Sequence, residues 1–247
     1  IYLKNAGYEA RPLSVDHYYL ELTDQPKFKI RNNRADVNYD HIEAMDVPLA
    51  NAHIVALTQG KTVMTPQYSF KSGMREGPGH EFTLPEKNIL IIEGIHALNP
   101  LYTQGVPPEA VFKIYISPLS ALQVDDFNAV KTTNHRLLRR MCRDFLFRGY
   151  SVSQTLGAWQ KVRVGEHAFI FPHQNDCDFV MNSAMEYELC VLKTFVEPGL
   201  SKVPPSDPNF ELAQELLLTL KYIDCWDDRN VPSTSLLREF IGNGAFD

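Results

Sequence analysis

The chain has 247 residues, 44% of them hydrophobic and 22% charged, with a formal net charge of −6, which suits a soluble globular protein long enough to bury a full core. An acidic balance with a sequence pI near 5.8 gives no general electrostatic pull toward nucleic acid, and no apolar run reaches the roughly 18 residues of a membrane span. The four cysteines, Cys142, Cys177, Cys190 and Cys225, form no CxxC pair, so a zinc site and a disulfide framework are set aside and a reduced, cytoplasmic protein is expected.

In chain order, "IYLKNAG" (1–7) reads as the last turns of a helix stopped by Gly7. "EARPLSV" (9–15) is a predicted strand ending at Asp16, and "DVPLANAHIVALTQG" (46–60) a helix with Gly60 behind it. "REGPGHEF" is rich in turn residues. "NILIIE" (88–93) is short, β-branched and bounded by Asn88 and Gly94, so it reads as a strand buried on both faces. It ends on a bare carboxylate, Glu93. A further strand is expected over "VFKIYIS" (111–117) and a helix from Asn134 to Arg148. "SVSQTLGAWQKVRVGEHAF" (151–169) is a helix capped by Ser151 or Ser153, "DFVMNS" (178–183) a strand, and "MEYELCVLKTFVEP" (185–198) a helix ended by Pro198 and Gly199. Helices over 209–223 and within "STSLLREFIGNG" close the chain. Strands alternating with helices predict an α/β fold, a doubly wound, mostly parallel sheet with helices on both faces. One domain is expected over 1–247, with 185–247 as its helical extension, packed on the core or forming an interface such as that of a homo-oligomer.

Candidate chemistry gathers at the strand ends. Asp16 and Glu93 each close a predicted strand, and the carboxyl ends of parallel strands are where ligands bind in open α/β sheets. Two such carboxylates can hold a magnesium ion, and one can take a proton from an attacking hydroxyl; taken singly, each reads first as a solvated strand-end acid or a helix cap. In "NHRLLRRMCRDFLFRG", Arg136, Arg139, Arg140 and Arg143 recur at three- and four-residue spacing, with Arg148 just beyond. This predicts one guanidinium face suited to polyphosphate oxygens, or alternatively a salt-bridged surface helix or a nucleic-acid contact, the last of which the net acidic chain counts against. "ADVNYDHIEAMD" sets Asp40 and His41 before a helix, where an Asp is commonly a cap. "TPQYSFKSGMR" sets Tyr68 and Phe70 two apart, as packing or as a slot for a flat base. His96, just past Gly94, either orients a loop or acts on substrate.

Taken together, "LSVDHYYL" (13–20), "NYDHIEAMD" (38–46), "TPQYSFKSGMR" (65–75), "IIEGIHAL" (91–98) and "RLLRRMCRDFLFRG" (136–149) resemble, in order, the motifs of the uridine kinase and phosphoribulokinase family of P-loop kinases. "DDFNAVKTTNHRLLRRMCRDFLFRGYS" and "STSLLREFIGNG" are similar to its long-chain branch. The resemblance implies ATP-dependent phosphorylation of a nucleoside 5′-hydroxyl with magnesium. It makes Asp16 the proton acceptor and a metal ligand, and Glu93 the second acid. Tyr19, Asp40, Tyr68 and Phe70 become acceptor-binding residues, with Asp40 on the ribose hydroxyls and His96 beside them. Arg136, Arg139, Arg140, Arg143 and Arg148 become arginines that grip ATP and the transferred phosphoryl group. No nucleic-acid or membrane partner is implied.

The sequence departs from this pattern in three places. No GxxxxGK[ST] loop occurs in it, so the native protein is expected to continue upstream of Ile1 with the missing strand and loop. "YSF" and Gly73 stand where many uridine kinases have "YDF" and a base-contacting His, which bears on the base chosen. Ala129 stands where the long-chain branch leads one to expect an arginine. A kinase for another small alcohol, such as a sugar phosphate or a pantothenate-like molecule, and a binding module that transfers nothing are the alternatives.

Overall fold

The computed structural model describes residues 2–26, 38–120, 122–123 and 129–245. Within "ADVNYDHIEAMD" residues 35–37, and within "DDFNAVKTT" residues 125–128, lie outside them. The chain divides into two compact units, Ile1–Tyr115 with Arg163–Phe179, and Ile116–Val162 with Val180–Asp247.

The first unit opens with α1 (Tyr2–Asn5). It stops as the sequence indicates: Gly7 takes φ +83°, while Tyr8 N–H donates to the Leu3 carbonyl (2.9 Å) and Gly7 N–H to that of Lys4 (3.0 Å), the paired bonds of a Schellman cap. Strand β1 (Glu9–Ser14) follows. It pairs in parallel with β6 (Asn88–Glu93), in a register from Glu9↔Asn88 to Ser14↔Glu93, so both strands deliver their carboxyl ends to the same edge. Helix α2 (Val47–Thr58) starts on Asp46, whose Oδ1 accepts from Leu49 N–H at 3.2 Å. Two short antiparallel pairs lie between: β2 (Val63–Thr65) with β5 (His80–Phe82), and β3 (Tyr68–Ser69) with β4 (Met74–Arg75). In the turn of the second pair, Gly73 has φ +76°, and a Cβ there would lie 3.1 Å from the Leu22 side chain. This position therefore selects for glycine by backbone shape. Leu13, Val15, Tyr18, Tyr19, Ile54, Leu57 and Tyr102 are among the residues that fill the core.

Strand β6 corrects one expectation. Its side chains alternate between half-buried and exposed, with Ile89 37% and Ile91 42% exposed, so it is not sealed on both faces. Among the described residues its only ladder partner is β1.

Strands β7 (Ile114–Ser117) and β8 (Phe179–Asn182) form another pair. Asp178 N–H donates to the Lys113 carbonyl and Ser183 N–H to that of Ser117, both at 2.9 Å; the partners advance together, so these strands also run parallel. The α/β class expected from strand–helix alternation is what is observed.

In the second unit, helix α3 (Thr132–Arg143) continues into a wider π-type turn, Asp144–Arg148, ended by Gly149 at φ +69°. Helix α4 (Val152–Gly165) opens with a reciprocal cap: Ser151 Oγ accepts from Gln154 N–H (3.3 Å) and Gln154 Oε1 from Ser151 N–H (2.8 Å). Ser151 is thus the cap of the two serines proposed. Helix α5 (Glu188–Leu200) runs past Pro198 and Gly199. Gly199 is there for a close approach, because a Cβ would fall 2.4 Å from Val152 Cγ2. Helices α6 (Phe210–Lys221) and α7 (Arg238–Ile241) complete the unit. Leu137, Leu138, Met141, Leu156, Trp159, Leu192, Leu216 and Leu237 lie in one buried cluster, so the C-terminal helices share their core with the arginine helix. No helix among the described residues is long and apolar enough to cross a membrane.

Candidate active site

The loop after β1 carries Asp16 in a 3-10 turn, Val15–Tyr18. Apolar Val15 and Tyr18 are wholly buried and anchor that turn, leaving the intervening Asp16 half-exposed. A further clamp comes from the segment before α2: Asp46 N–H donates to the Tyr18 carbonyl (2.7 Å) and Leu20 N–H to that of Ala44 (2.9 Å). Glu93 ends β6 opposite Ser14 and is exposed. Gly94 follows with φ +145°; a Cβ on it would lie 2.2 Å from Val15 Cγ2 and 3.7 Å from Asp16 Oδ1. Only glycine lets the two strand ends approach so closely, so that Asp16 follows the end of β1 at the same sheet edge where Glu93 ends β6.

Beside Asp16 stands a cluster of four rings. Tyr19 lies 5.4 Å from Tyr68, 5.2 Å from Phe70 and 5.5 Å from Tyr39, centroid to centroid; Phe70 lies 5.2 Å from Tyr68 and 5.8 Å from Tyr39. Tyr19 Oη donates to the Tyr39 carbonyl at 2.7 Å. Burial pushes the Tyr19 phenol well above its ordinary pKa, and the charges of Asp16 and Asp40 push it further, so both carboxylates act on this ring. The loop bearing Tyr68 and Phe70 is tied down by Arg75, whose Nη2 donates to Asp46 Oδ2 (2.9 Å), and by the Tyr68 N–H on His17 Nδ1 (3.4 Å). Tyr19, Tyr68 and Phe70, singled out in the sequence, are thus brought together.

Asp40 does not cap the helix that follows it. Asp46 has that task, and the short 3-10 turn Ile42–Ala44 is capped by the His41 side chain. The far end of α4 returns to this loop: a Cβ on Gly165 would lie 2.8 Å from the Asp40 carbonyl oxygen. Four residues on, Phe169 packs edge-on to His41 with centroids 4.2 Å apart and stands 6.4 Å from the His96 ring.

Three residues here were missed in the sequence. Tyr39 had a weak signal, an aromatic directly before Asp40. Phe169 looked like one more apolar helical position. Tyr102 gave none, yet it is fully buried, and its hydroxyl has no hydrogen bond among the described residues. Burial, and secondarily Asp16, push its phenol far up.

The arginines of the second unit do not form one face. Arg139 is buried with all three guanidinium nitrogens engaged: Nε and Nη2 on Glu188 (3.2 and 2.6 Å), Nη1 on Ser183 Oγ (3.1 Å) and Nη2 on the Ser183 carbonyl (2.6 Å). Phe240 lies under it at 5.0 Å, and His135 Nε2 abuts the same carboxylate. Its neighbour Arg140 faces another acid: buried Asp144 takes Arg148 at 2.9 Å and Arg140 at 3.5 Å, and accepts from the Thr155 hydroxyl at 3.1 Å. Arg143 lies 3.5 Å from Glu239, 33% and 56% exposed as side chains. Burial, then the charge of Arg148, pulls Arg143 below the usual arginine pKa. Arg136 is half-buried. Helical periodicity alone could not separate Arg139 from the rest, because neighbours on a helix differ by about 100° in direction.

Asp16 and Glu93 are the residues suited to hold a metal ion. Among the described residues no group of three or more His, Cys, Asp or Glu side chains gathers to enclose one. Two hard oxygen donors at an open rim fit magnesium, which keeps several waters and phosphate oxygens among its ligands.

The model of the Phosphoribulokinase / Uridine kinase family matches residues 10–189. The chain belongs to this family. A uridine kinase of Halobacterium salinarum is 27% identical over 178 residues, 72% of this chain and 69% of that relative. A uridine kinase of Staphylococcus aureus is 29% identical over 199 residues, covering 79% and 86%. The solved YGR205w protein overlays 70% of each chain at a TM-score of 0.45 with 16% identity. Family membership supports a phosphotransferase.

Proposed function

We propose that this family member transfers a phosphoryl group from ATP to the 5′-hydroxyl of a nucleoside-like acceptor, with uridine and cytidine as first candidates. The observation that carries the reading is the rim where β1 and β6 end in register and Gly94 backs onto Asp16. The uridine kinases to which the chain is similar favour the acceptor class. In this reading Asp16 accepts the proton of the attacking hydroxyl. Tyr19, Tyr39, Tyr68 and Phe70 hold the flat part of the acceptor, and Asp40 takes a sugar hydroxyl. Magnesium, held by Asp16 and Glu93, would offset the charge of the phosphates. Arg136, Arg140, Arg143 and Arg148 are assigned to phosphate oxygens. Arg139 is not, because its donors are already taken inside the protein.

The test is ATP-dependent phosphorylation by the full-length protein across a panel of nucleosides, sugar phosphates and pantothenate-like alcohols. Asp16→Asn should lower kcat by about 10²-fold or more with an unchanged circular dichroism spectrum. Transfer to none of the nucleosides sinks the acceptor class, and an Asp16→Asn enzyme of wild-type rate sinks the role of Asp16.

A further inference from the structure

Two of the four cysteines, far apart in sequence, come together in the second unit. Cys190 is half-buried in the first turn of α5, and Cys225 is exposed in the loop after α6. Both are free thiols, and both lie past residue 189, where the match to the family model ends. The loop is tied to the helix on either side of Cys225. Lys193 Nζ donates to the Ile223 carbonyl (2.7 Å), Trp226 N–H to the Cys190 carbonyl (3.0 Å) and the Thr194 hydroxyl to the Trp226 carbonyl (3.3 Å).

The second of these bonds sets the separation of the two cysteines. From the Cys190 Cα through its carbonyl, across the hydrogen bond and back through the Trp226 nitrogen to the Cys225 Cα, ordinary backbone dimensions leave about 5–7 Å. Disulfides usually join Cα atoms about 4.4–6.8 Å apart. Burial pushes the Cys190 thiol above its ordinary pKa, and Asp224 and then the Cys225 thiol add to the shift, so the two thiols lie within electrostatic reach of each other. Cys142 contrasts with them: it is fully buried in the core, where burial pushes its thiol up to about 12 and leaves it unreactive. The helices already share that core, so a bond between Cys190 and Cys225 would add to a finished fold.

We propose that Cys190 and Cys225 are a redox modification site, closing a reversible disulfide at the expense of a low-molecular-weight disulfide such as oxidised glutathione. Cys225, the exposed thiol, gives up its proton and attacks one sulfur of the small disulfide. That S–S bond breaks, a mixed disulfide forms on Cys225, and the first small thiol leaves with the proton. Cys190 then gives up its proton and attacks Cys225 Sγ; the Cys190–Cys225 bond forms and the second small thiol leaves protonated. Two protein thiols are oxidised and one small disulfide is reduced to two thiols. The link fastens the first turn of α5, which also carries Glu188, the partner of buried Arg139.

The experiment equilibrates the full-length protein, folded and in concentrated urea, with mixtures of reduced and oxidised glutathione. Remaining thiols are then alkylated and the peptides mapped without reduction. Folded wild type should give a peptide pair joined through Cys190 and Cys225 and free of glutathione. The equilibrium constant for that bond should be at least about 10-fold above its value in urea, because the fold holds the two thiols together. The urea midpoint of the oxidised protein should lie above that of the reduced protein and return to it on adding dithiothreitol. In Cys190→Ser, Cys225 should stop at the mixed disulfide with glutathione, whereas Cys225→Ser should leave Cys190 largely unmodified. The wild-type measurements decide the matter whether or not the variants fold. If folded wild type keeps glutathione on Cys225 with Cys190 still free, joins either cysteine to Cys177 or to a second molecule instead, or closes the bond no more readily than in urea, the assignment is wrong.

Discussion

Arg139→Met separates two jobs that one residue cannot do together. The resemblance assigns Arg139 to phosphate; the structure spends it on Glu188 and Ser183 inside the second unit. Burial pushes the Glu188 pKa up, while the hydrogen bonds and charge of Arg139 draw it back, so removing the guanidinium strands a buried acid. Breaking such a pair from one side costs about 3–5 kcal/mol, a large share of the roughly 5–15 kcal/mol that holds a typical domain together. Removing both charges should cost far less, since a well-packed apolar pair often matches a buried ion pair; Arg139→Met with Glu188→Leu is therefore expected within about 2 kcal/mol of wild type. The assay is urea unfolding followed by tryptophan fluorescence. Both tryptophans, buried Trp159 and exposed Trp226, belong to this unit, so the signal reports on the element being tested. Arg143→Met is the control: its contact with Glu239 is 3.5 Å and partly solvated, so stability should move by less than about 1 kcal/mol while KM for ATP rises. If Arg139→Met leaves the urea midpoint in place and raises KM for ATP instead, the structural assignment is wrong.

The low pKa of His96 makes stability pH-dependent with a definite sign. Folded His96 resists protonation down to about pH 4, whereas the unfolded side chain protonates near its ordinary value of about 6.5; stability is present above that value and lost as pH falls toward 4, by about 2 kcal/mol at pH 5. Urea midpoints measured at pH 7 and pH 5 should lie closer together in His96→Leu than in wild type, and an equal separation in both would refute the assignment. Gly94→Ala would drive a methyl group into Val15 and should cut kcat at least about 10-fold by displacing the turn that carries Asp16; wild-type kinetics would show that the rim tolerates the shift. Gly165→Ala, pressed against the Asp40 carbonyl, should raise KM for the acceptor more than KM for ATP, and an equal rise in both would count against a local effect.

Much of the fold was legible because local chemistry and global packing agree over most elements. The Gly7 stop and the Ser151 cap are short-range signals whose partners lie within a few residues, and the strand ends just before Asp16 and at Glu93 are marked by local composition although they pair with each other across the chain. Where expectation and structure part, the deciding partner is distant in sequence. Gly199 looked like a helix end, but its value lies in the approach of Val152. Asp40 is the exception, since the residue that took the cap it suggested, Asp46, lies close by in the sequence.

The arginine helix shows why the site was harder to read than the fold. Its spacing carries information about direction around an axis, and that information is relative. Which direction is inward depends on what the rest of the chain supplies, here Glu188 from α5, Ser183 just past β8 and Phe240 from α7. A guanidinium facing those groups becomes part of the interior, while its neighbour 100° away turns to Asp144 instead. His96 is the converse case. Sequence marks it only as a polar residue after a conspicuous Glu-Gly pair, and its burial exists only once the loop, the Asp40 turn and the returning end of α4 have closed around it.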